Sequence, residues 1–324
     1  MKLQTKVSLP SPQNKYDHSD RIACLGSCFA DEIGERLEKR LFSCTTNPLG
    51  TLYNPLALAE TVIRALEKRF FQPEEFFQHL ELWRHFLIHS SLASTQREQS
   101  VSQANKSLIR LREQLLSGRL LILTLGSSWV YEIKDNPQAV AHNHKLPLDR
   151  FNKSLISHPE ISKHLARAIK LIRAENEDID ICLTVSPVRH LRDGLRENNL
   201  SKAHLLLAAH QLETEFEHIS YFPAYELLID ELRDYRFYKE DLAHPSKQAT
   251  DYIWRCFSET FLTDTCRRRC GEIESVLAAL THRPHHPDTK SYQLFKEQIA
   301  EKIGSLTSQS LDCAPLQKEL DQLP

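Results

Sequence analysis

Three residues of this sequence, Ser27, Asp241 and His244, have side chains that could act together in nucleophilic chemistry. Ser27 follows the apolar run 22–25 and Gly26, and a helical pattern of apolar residues begins directly after it. A serine at such a strand-to-helix turn lies beside free backbone N–H groups, which can stabilise the oxyanion of a tetrahedral intermediate. The same position equally suits a serine that only caps the helix.

A serine hydroxyl is a weak nucleophile at neutral pH, so it needs a general base. His244 is the candidate base, and Asp241 precedes it by three residues. In a tight loop this spacing lets the carboxylate hydrogen-bond the imidazole and fix its tautomer. The alternative is a solvated surface loop in which Asp241 caps a turn.

The elements around these residues predict an α/β fold with a parallel sheet and helices on both faces, because strands and helices alternate along the chain. The predicted strands are 22–25, 42–46, 120–125, 179–185 and 219–222, and the predicted helices are 29–41, 55–68, 101–117, 159–174, 200–217 and 246–262. In an open parallel sheet ligands bind beyond the carboxyl ends of the strands. Ser27 and the 241–246 loop are therefore expected at that edge.

We expect one α/β domain over residues 1–263 and a charged helical appendage over 264–324 that packs on it. The segment 282–287, rich in histidine and proline, is expected to form a solvated kink between helices of this appendage.

The charge balance and composition argue against several kinds of binding partner. The 41 basic and 43 acidic residues nearly cancel, so neither a nucleic acid nor an anionic membrane is expected as a partner. The N-terminus lacks the apolar region of a signal peptide, and no stretch is long and apolar enough to span a bilayer. We therefore expect a cytoplasmic protein with reduced cysteines and no cofactor, and the oligomeric state is left open.

Residues 26–30 spell Gly-Ser-Cys-Phe-Ala. In this motif the chain resembles the GSCFA family, which belongs with the SGNH and GDSL-like hydrolases. Further matching segments are 47–50 with 53–55, 123–126 with 129–131, 144–147, 184–190 with 193–194, 201–203, 221–223, 230–238 and 241–244. The resemblance thus extends from about residue 22 to residue 257.

This resemblance implies a three-layer α/β/α SGNH-like fold and a triad of Ser27, His244 and Asp241. It also implies an oxyanion hole built from the backbone N–H of Ser27, a glycine N–H that Gly50 would supply, and an asparagine side chain. The chain departs from the family pattern at the third donor, because Ser128 stands where that asparagine is expected. Ser127, Ser128 or Asn143 would donate instead, or the hole has only two donors.

The remaining pocket residues are expected to be Asn47, Trp129, His142, His144 and Arg189. His142 and His144 are two residues apart and could face the pocket together as hydrogen-bonding groups, with zinc binding as the alternative. Arg189 could hold an anionic part of a substrate, with ion pairing to nearby acidic residues, at 193, 197 or 230–234, as the alternative.

Cysteines occur at two places where a thiol could act as a nucleophile or bind a metal. Cys28 adjoins Ser27 at the start of a helix, where a thiol can become nucleophilic, but the Gly-Ser turn favours Ser27 as the nucleophile. Cys266 and Cys270 share a helical face, yet no second pair of ligands accompanies them in the sequence. They are expected to be ordinary thiols, and no metal site is expected.

Together these features predict a serine-dependent hydrolase of small O-acyl esters, such as an acetylated sugar. Ser27 would attack the ester carbonyl, and water would resolve the acyl-enzyme. An O-acyltransferase that uses the same triad is the first alternative, because both reactions share their first half. A binding module for a glycan or metabolite, with the same fold and no turnover, is the second.

Overall fold

A computed structural model describes residues 5–135 and 138–323. The strands of its main sheet are β1 (Arg21–Gly26), β2 (Ser43–Thr46), β5 (Leu120–Leu125), β9 (Asp180–Val185) and β10 (Ile219–Tyr221). Shorter strands outside it are β3 (Phe77–His79), β4 (Leu82–Arg84), β6 (Trp129–Ile133), β7 (Ala139–Val140) and β8 (Phe151–Leu155). All five predicted strands are thus found, with ends that differ by at most one residue.

The helices of the α/β region are α1 (Cys28–Lys39), α2 (Pro55–Leu66), α3 (Arg97–Ser117), α4 (His158–Glu175), α5 (Leu195–Glu215), α6 (Ala224–Glu226) and α7 (Lys247–Phe261). A π-helical turn, Leu227–Leu232, continues α6. The predicted helices are therefore confirmed, although α5 begins five residues before the position expected from its apolar pattern. Gly194 precedes α5 with a φ of 99°, a backbone conformation that residues with a side chain rarely adopt. The chain turns at this glycine, and α5 begins directly after it at Leu195.

The five main strands run parallel in the order β10-β9-β5-β1-β2. In chain order this is the doubly wound arrangement 2-1-3-4-5, in which the winding direction reverses between β1 and β5. The register pairs Gly26 with Thr124, so both strands end at the same height. The reversal leaves a crevice outside these two ends, where Ser27 and residues 126–128 lie.

Side chains on alternate faces of the sheet enter two separate hydrophobic cores. One face of β1, with Ala23 and Leu25, packs with α2, α3, α4 and α5. The opposite face, with Ile22 and Cys24, packs with α1, α7 and the 227–232 turn. The order of layers is therefore helices, sheet, helices, as the alternating pattern predicts.

Two small antiparallel sheets were not predicted. Strands β3 and β4 form a hairpin, and β6 lies between β7 and β8. These strands are only two to five residues long. Segments this short show too little alternation of apolar and polar residues to be distinguished from loops. The second sheet carries the segment 141–145 to the carboxyl edge of the main sheet.

The C-terminal helices are α8 (Asp264–Leu280), α9 (Lys290–Ser308) and α10 (Ala314–Asp321). Cys266 and Cys270 in the first half of α8 belong to the core of the α/β region. Ile273, Val276 and Leu280 in its second half belong to a separate core with α9 and α10. A single helix thus joins the two cores, and the segment 282–287 lies in the connection after it.

Gly26 is required at the turn between β1 and α1. Its φ is 129°, and a Cβ there would lie 2.1 Å from the carbonyl oxygen of Thr124. A side chain would therefore be strained by its backbone conformation and would also clash with β5. This glycine allows the chain to turn sharply enough to place Ser27 at the strand end.

Candidate functional site

A cleft of about 680 Å³ lies at the carboxyl edge of the sheet. It is bounded by the start of α1, the 139–145 segment, the chain that leaves β9 and the 241–244 loop. Its lining residues are Cys28, Tyr53, Asn54, His89, Ser90, Ser127, Trp129, Tyr131, Val140, Ala141, His142, Asn143, His144, Lys145, Val188, Arg189, His190, Leu191, Arg192, Asp193, Asp241, Ala243 and His244. This position agrees with the rule for ligand sites in open parallel sheets.

Asp241 and His244 form a close pair in the wall of this cleft. The Nδ1 atom of His244 lies 2.7 Å from Oδ2 of Asp241, while Oδ1 accepts hydrogen bonds from the backbone N–H groups of Ala243 and His244, both at 2.9 Å. These backbone hydrogen bonds, together with the imidazole, hold the pKa of Asp241 below its ordinary value. An ionised carboxylate at Nδ1 keeps the proton on that nitrogen and leaves Nε2 as a base.

The loop that carries this pair is tied to the rest of the domain by its backbone. The N–H of Arg189, just after β9, donates to the carbonyl oxygen of Ala243 at 3.0 Å, and the N–H of Lys239 donates to that of His244 at 2.8 Å. The loop also contains Leu242 at a φ of 55°, a tight conformation that closes the turn. The side chains of Asp241 and His244 are about half exposed, so they can reach a bound molecule.

Ser27 is the N-cap of α1. Its Oγ accepts a hydrogen bond from the N–H of Phe29 at 3.3 Å, and its side chain is buried, with 1% exposed. It does not line the cleft itself, whereas Cys28 does. Among residues 5–135 and 138–323, no hydrogen bond joins Ser27 to His244. The capping role is therefore observed directly, and reaction at this oxygen requires it to turn away from Phe29.

Gly126 leaves the space that such a rotation needs. A Cβ at this position would lie 3.1 Å from the Cβ of Ser27 and 2.8 Å from the carbonyl oxygen of Tyr53. Any side chain at 126 would therefore press against the serine. The glycine at the end of β5 keeps one side of Ser27 open.

Most of the groups expected to donate a hydrogen bond to the oxyanion already have other hydrogen-bond partners. The N–H of Ser27 donates to Thr124 at 3.1 Å and that of Gly50 donates to Asn47 at 2.7 Å, so both are occupied by backbone carbonyls. The Oγ of Ser128 donates to the carbonyl of Ser201 at 3.1 Å, away from the cleft. Each of these three donors therefore already has a hydrogen-bond partner, which an oxyanion would have to displace.

Asn143 remains as a candidate for the oxyanion donor, whereas Ser127 already has partners: its N–H donates to the carbonyl of Tyr53 at 2.8 Å and its Oγ lies 3.3 Å from that of Ser201. Both line the cleft. The Oδ1 of Asn143 accepts a long hydrogen bond of 3.4 Å from the N–H of Lys145, while its amide nitrogen has no acceptor in the described parts of the chain. An uncommitted amide N–H₂ at the cleft wall can donate to a developing negative charge.

Asn47 has a structural role beneath the turn rather than a place in the cleft. Its Oδ1 accepts from the N–H of Gly26 at 2.8 Å, and its Nδ2 donates to Asp31 at 2.7 Å. The prediction that Asn47 lines the pocket is therefore replaced by a bridge between β2, the Gly26 turn and α1. Burial of Asp31 raises the pKa of its carboxyl.

Three of the histidines that line the cleft are uncharged at neutral pH. Burial lowers the pKa of His142 to about 3 and the pKa values of His144 and His190 to about 4 each. The Nε2 of His144 is held 2.9 Å from the carbonyl oxygen of His85. The Nε2 atoms of His142 and His190 are buried and have no hydrogen-bond partner in the described residues.

These histidines should make the protein less stable in mild acid. Their folded-state pKa values lie below the value of 6.5 for the unfolded chain, so the unfolded state binds more protons between about pH 4 and pH 6.5. Stability should therefore fall as the pH drops through this range, by roughly 3 kcal/mol per histidine as an upper figure. Urea unfolding at pH 7 and pH 5 measures the loss, which should be smaller in His142→Gln. Substitution of the exposed His210 by glutamine is the control, and an equal loss in all three proteins would contradict the prediction.

Arg189 and Trp129 lie in the cleft wall as predicted. The guanidinium of Arg189 donates to Asn199 at 3.2 Å, and Trp129 donates from its indole nitrogen to the carbonyl of Glu197 at 3.2 Å. Among the described residues no carboxylate forms an ion pair with Arg189, so the expected alternative of ion pairing does not apply. Its buried Nε also has no partner there.

Sequence reasoning missed Lys202, although it falls within a segment that matches the family. Its ammonium is fully buried and donates to the carbonyl oxygens of Gly126 at 2.8 Å and Ser186 at 2.7 Å, at the ends of β5 and β9. Burial lowers its pKa to about 7. A lysine in the middle of an amphipathic helix gives no sequence signal of burial, because lysine is normally exposed.

Cys28 lines the cleft, but its thiol is poorly suited to act as a nucleophile. Burial, reinforced by the nearby carboxylate of Asp31, raises the pKa of this thiol. Because the thiolate is the reactive form, a raised pKa lowers the reactive fraction at neutral pH.

The fold and the cleft define a doubly wound α/β protein with an Asp-His pair and a Gly-Ser turn at the switch point of its sheet. The sequence model of the GSCFA family matches residues 21–257, so the chain belongs to the GSCFA family. The model described as "GSCFA domain protein, C-terminal domain" matches residues 273–323, beginning in the middle of α8. No curated protein matches the chain. Within the described residues, no helix has both the length and the apolar character to cross a bilayer.

Proposed function

We propose that this protein is an SGNH-type acyl hydrolase that removes a small acyl group from a hydroxylated substrate through an acyl-Ser27 intermediate. The observation that carries the proposal is the 2.7 Å contact between His244 and Asp241 in the cleft at the switch point where Ser27 begins α1. The 2-1-3-4-5 strand order and the two-sided helix packing are consistent with the SGNH fold.

In the proposed reaction Ser27 turns its Oγ from the N–H of Phe29 towards the cleft. The rotation exchanges one hydrogen bond and costs about 1 kcal/mol of capping energy. His244 accepts the hydroxyl proton as Oγ attacks the ester carbonyl, and it then gives this proton to the leaving alcohol. Water attacks the acyl-enzyme with His244 again as base, which releases the acid and restores Ser27.

The cleft offers polar groups and aromatic rings to a substrate. His142 and His190 are uncharged at neutral pH and line the cleft together with the aromatic rings of Tyr53, Trp129 and Tyr131. Hydroxyl groups can hydrogen-bond the polar lining, and aromatic faces pack against sugar rings. An O-acetylated sugar therefore fits the chemistry of these walls. Transfer of the acyl group to a second hydroxyl would use the same residues, and product analysis separates it from hydrolysis.

A binding module without turnover is the second candidate. It is favoured by the burial of Ser27 and by the backbone partners of the N–H groups of Ser27 and Gly50. In that case the cleft would hold its ligand through the histidines and Arg189, and Ser27 would serve only as the cap of α1.

Labelling with a fluorophosphonate tests the proposal, because this probe reacts with activated serines. The wild-type protein should be labelled at Ser27, as located by peptide mapping. Ser27→Ala should abolish the label, and His244→Ala should slow labelling by about 10²-fold or more, since the base is lost.

Ser258→Ala, at a half-buried serine on α7 outside the cleft, is the control and should be labelled at the wild-type rate. An unlabelled wild-type protein would favour the binding module, as would a label that survives both Ser27→Ala and His244→Ala. Ser27 and Cys28 lie in the same peptide, so fragmentation of the labelled peptide locates the probe, and a label on Cys28 would assign the nucleophile to the thiol.

A further inference from the structure

A second group of reactive side chains lies outside the cleft, where α8 meets the α/β region. Cys266 and Cys270 are one turn apart on α8, and His18 belongs to the segment that precedes β1. The ligand atoms of all three residues lie within 4.8 Å of one another. Both cysteines are buried and His18 is half-buried. The third residue comes from almost 250 positions away, so the sequence alone presents only two of the three.

The spacing of one pair of these atoms matches two ligands of a tetrahedral metal ion, and the third atom lies within 4.8 Å of both. Zinc bonds are about 2.3 Å to sulfur and about 2.0–2.1 Å to histidine nitrogen. Two such ligands at a tetrahedral angle lie about 3.6 Å apart. The Nδ1 atom of His18 lies 3.5 Å from the Sγ of Cys266. This pair therefore already has the separation of two ligands of one zinc ion.

The imidazole of His18 is held in the orientation that metal binding requires. Its Nε2 lies 2.9 Å from the carbonyl oxygen of Arg40, and its ring stacks on Phe42 at 4.4 Å. With Nε2 donating to a carbonyl, the lone pair is on Nδ1, which faces the thiols. Histidines that bind metals almost always donate their other ring N–H to a carbonyl or carboxylate in this way.

We propose that His18, Cys266 and Cys270 bind a zinc ion that fastens α8 to the α/β domain. The inference is independent of the proposed hydrolase activity, because none of the three residues lines the cleft. The ion would connect the segment before β1, the end of α1 through Arg40, and the helix that enters the C-terminal core. Since α8 belongs to both cores, the zinc ion would also fix the C-terminal helices relative to the sheet.

Zinc binding exchanges thiol protons for the metal ion. Zinc replaces the thiol protons of Cys266 and Cys270, so two protons are released, and His18 binds through the neutral imidazole without losing a proton. The two thiolates neutralise the ion, and water takes the fourth position. Two sulfur ligands and one nitrogen ligand favour zinc or cobalt over magnesium or calcium, which prefer oxygen.

Cobalt substitution of the full-length protein tests the site directly. The metal-free protein is prepared with a chelator under reducing conditions and titrated with Co²⁺. One equivalent should produce the visible bands of tetrahedral cobalt and a sulfur-to-cobalt charge-transfer band, and one equivalent of Zn²⁺ should remove both. Zn²⁺ should also raise the Tm of the metal-free protein, whereas Mg²⁺ should not.

Variants identify the ligands. Cys270→Ser and His18→Gln should each lose the tetrahedral bands and the zinc-dependent rise in Tm. The His18→Gln variant leaves both buried thiols in place, so it still tests metal binding at this site if a cysteine variant does not fold. Cys256→Ser, at another buried cysteine on α7, is the matched control and should behave as the wild-type protein. The proposal is overturned if the wild-type protein shows no sulfur-to-cobalt band, or if the bands persist in His18→Gln and Cys270→Ser.

Discussion

Replacing His244 with alanine is expected to lower kcat/KM for a small aryl acetate by about 10⁴-fold or more while the protein stays folded. The side chain is about half exposed in a loop held by backbone hydrogen bonds, so its removal leaves no cavity in the core. Ser27 would lose the base that accepts its proton and the acid that protonates the leaving alcohol. Both losses act only in the transition state and should therefore reduce kcat.

Combining substitutions of the proposed triad residues gives a sharper test than one variant. Ser27→Ala combined with His244→Ala should lose no more activity than either change alone, because both groups serve one step. Asp241→Asn should keep the loop but remove the carboxylate that fixes the tautomer of His244, with a loss of about 10³- to 10⁴-fold.

Initial rates with the aryl acetate from pH 5 to 9 measure all of these effects. Circular dichroism confirms that each variant folds. His164→Ala, at an exposed histidine on α4, is the matched control and should retain full activity. A loss below about tenfold in His244→Ala would remove the general base from the proposed reaction.

The second large expected effect is the pH dependence of folding stability that the buried Lys202 produces. In wild-type protein the stability should rise between about pH 7 and pH 10.5, and Lys202→Met should remove about 5 kcal/mol of that rise. Burial lowers the folded-state pKa of Lys202 to about 7, while the unfolded chain titrates at 10.5. Between these values the unfolded state holds one proton more than the folded state. Stability therefore increases with pH until the unfolded chain also loses the proton.

The comparison of the two proteins reports mainly on Lys202, together with its charge effect on the pKa values of Cys28 and His190, which the ammonium lowers. At neutral pH the variant gains because no ammonium is desolvated, but the carbonyls of Gly126 and Ser186 lose their donor, at about 1–3 kcal/mol each. The pH slope is thus more informative than stability at one pH. Guanidinium unfolding from pH 7 to pH 10.5 measures it, with the exposed Lys106→Met as control. Equal slopes in wild type and Lys202→Met would show that Lys202 keeps an ordinary pKa.

The main sheet and the helices could be predicted from the sequence, because their signals are local. Leu120–Leu125 is a fully buried run of six apolar or β-branched residues, and α7 shows a regular apolar face, so each specifies its own conformation. The contact between Asp241 and His244 was also predictable, since three residues in a tight loop bring the two side chains together. The short strands β3, β4 and β7 were not, because two or three residues show no periodicity.

Other features depend on partners that only folding brings close. The N–H groups of Ser27 and Gly50 are taken up by carbonyls of Thr124 and Asn47, and no motif reveals that competition. Lys202 is buried because the ends of β5 and β9 provide two carbonyl oxygens for it.

His18 completes a three-ligand group only because α8 docks beside the segment before β1. The sequence determined which residues could do chemistry and which elements would carry them. The tertiary structure decided which of their polar groups remain available, because burial and hydrogen bonding depend on residues far apart in the chain.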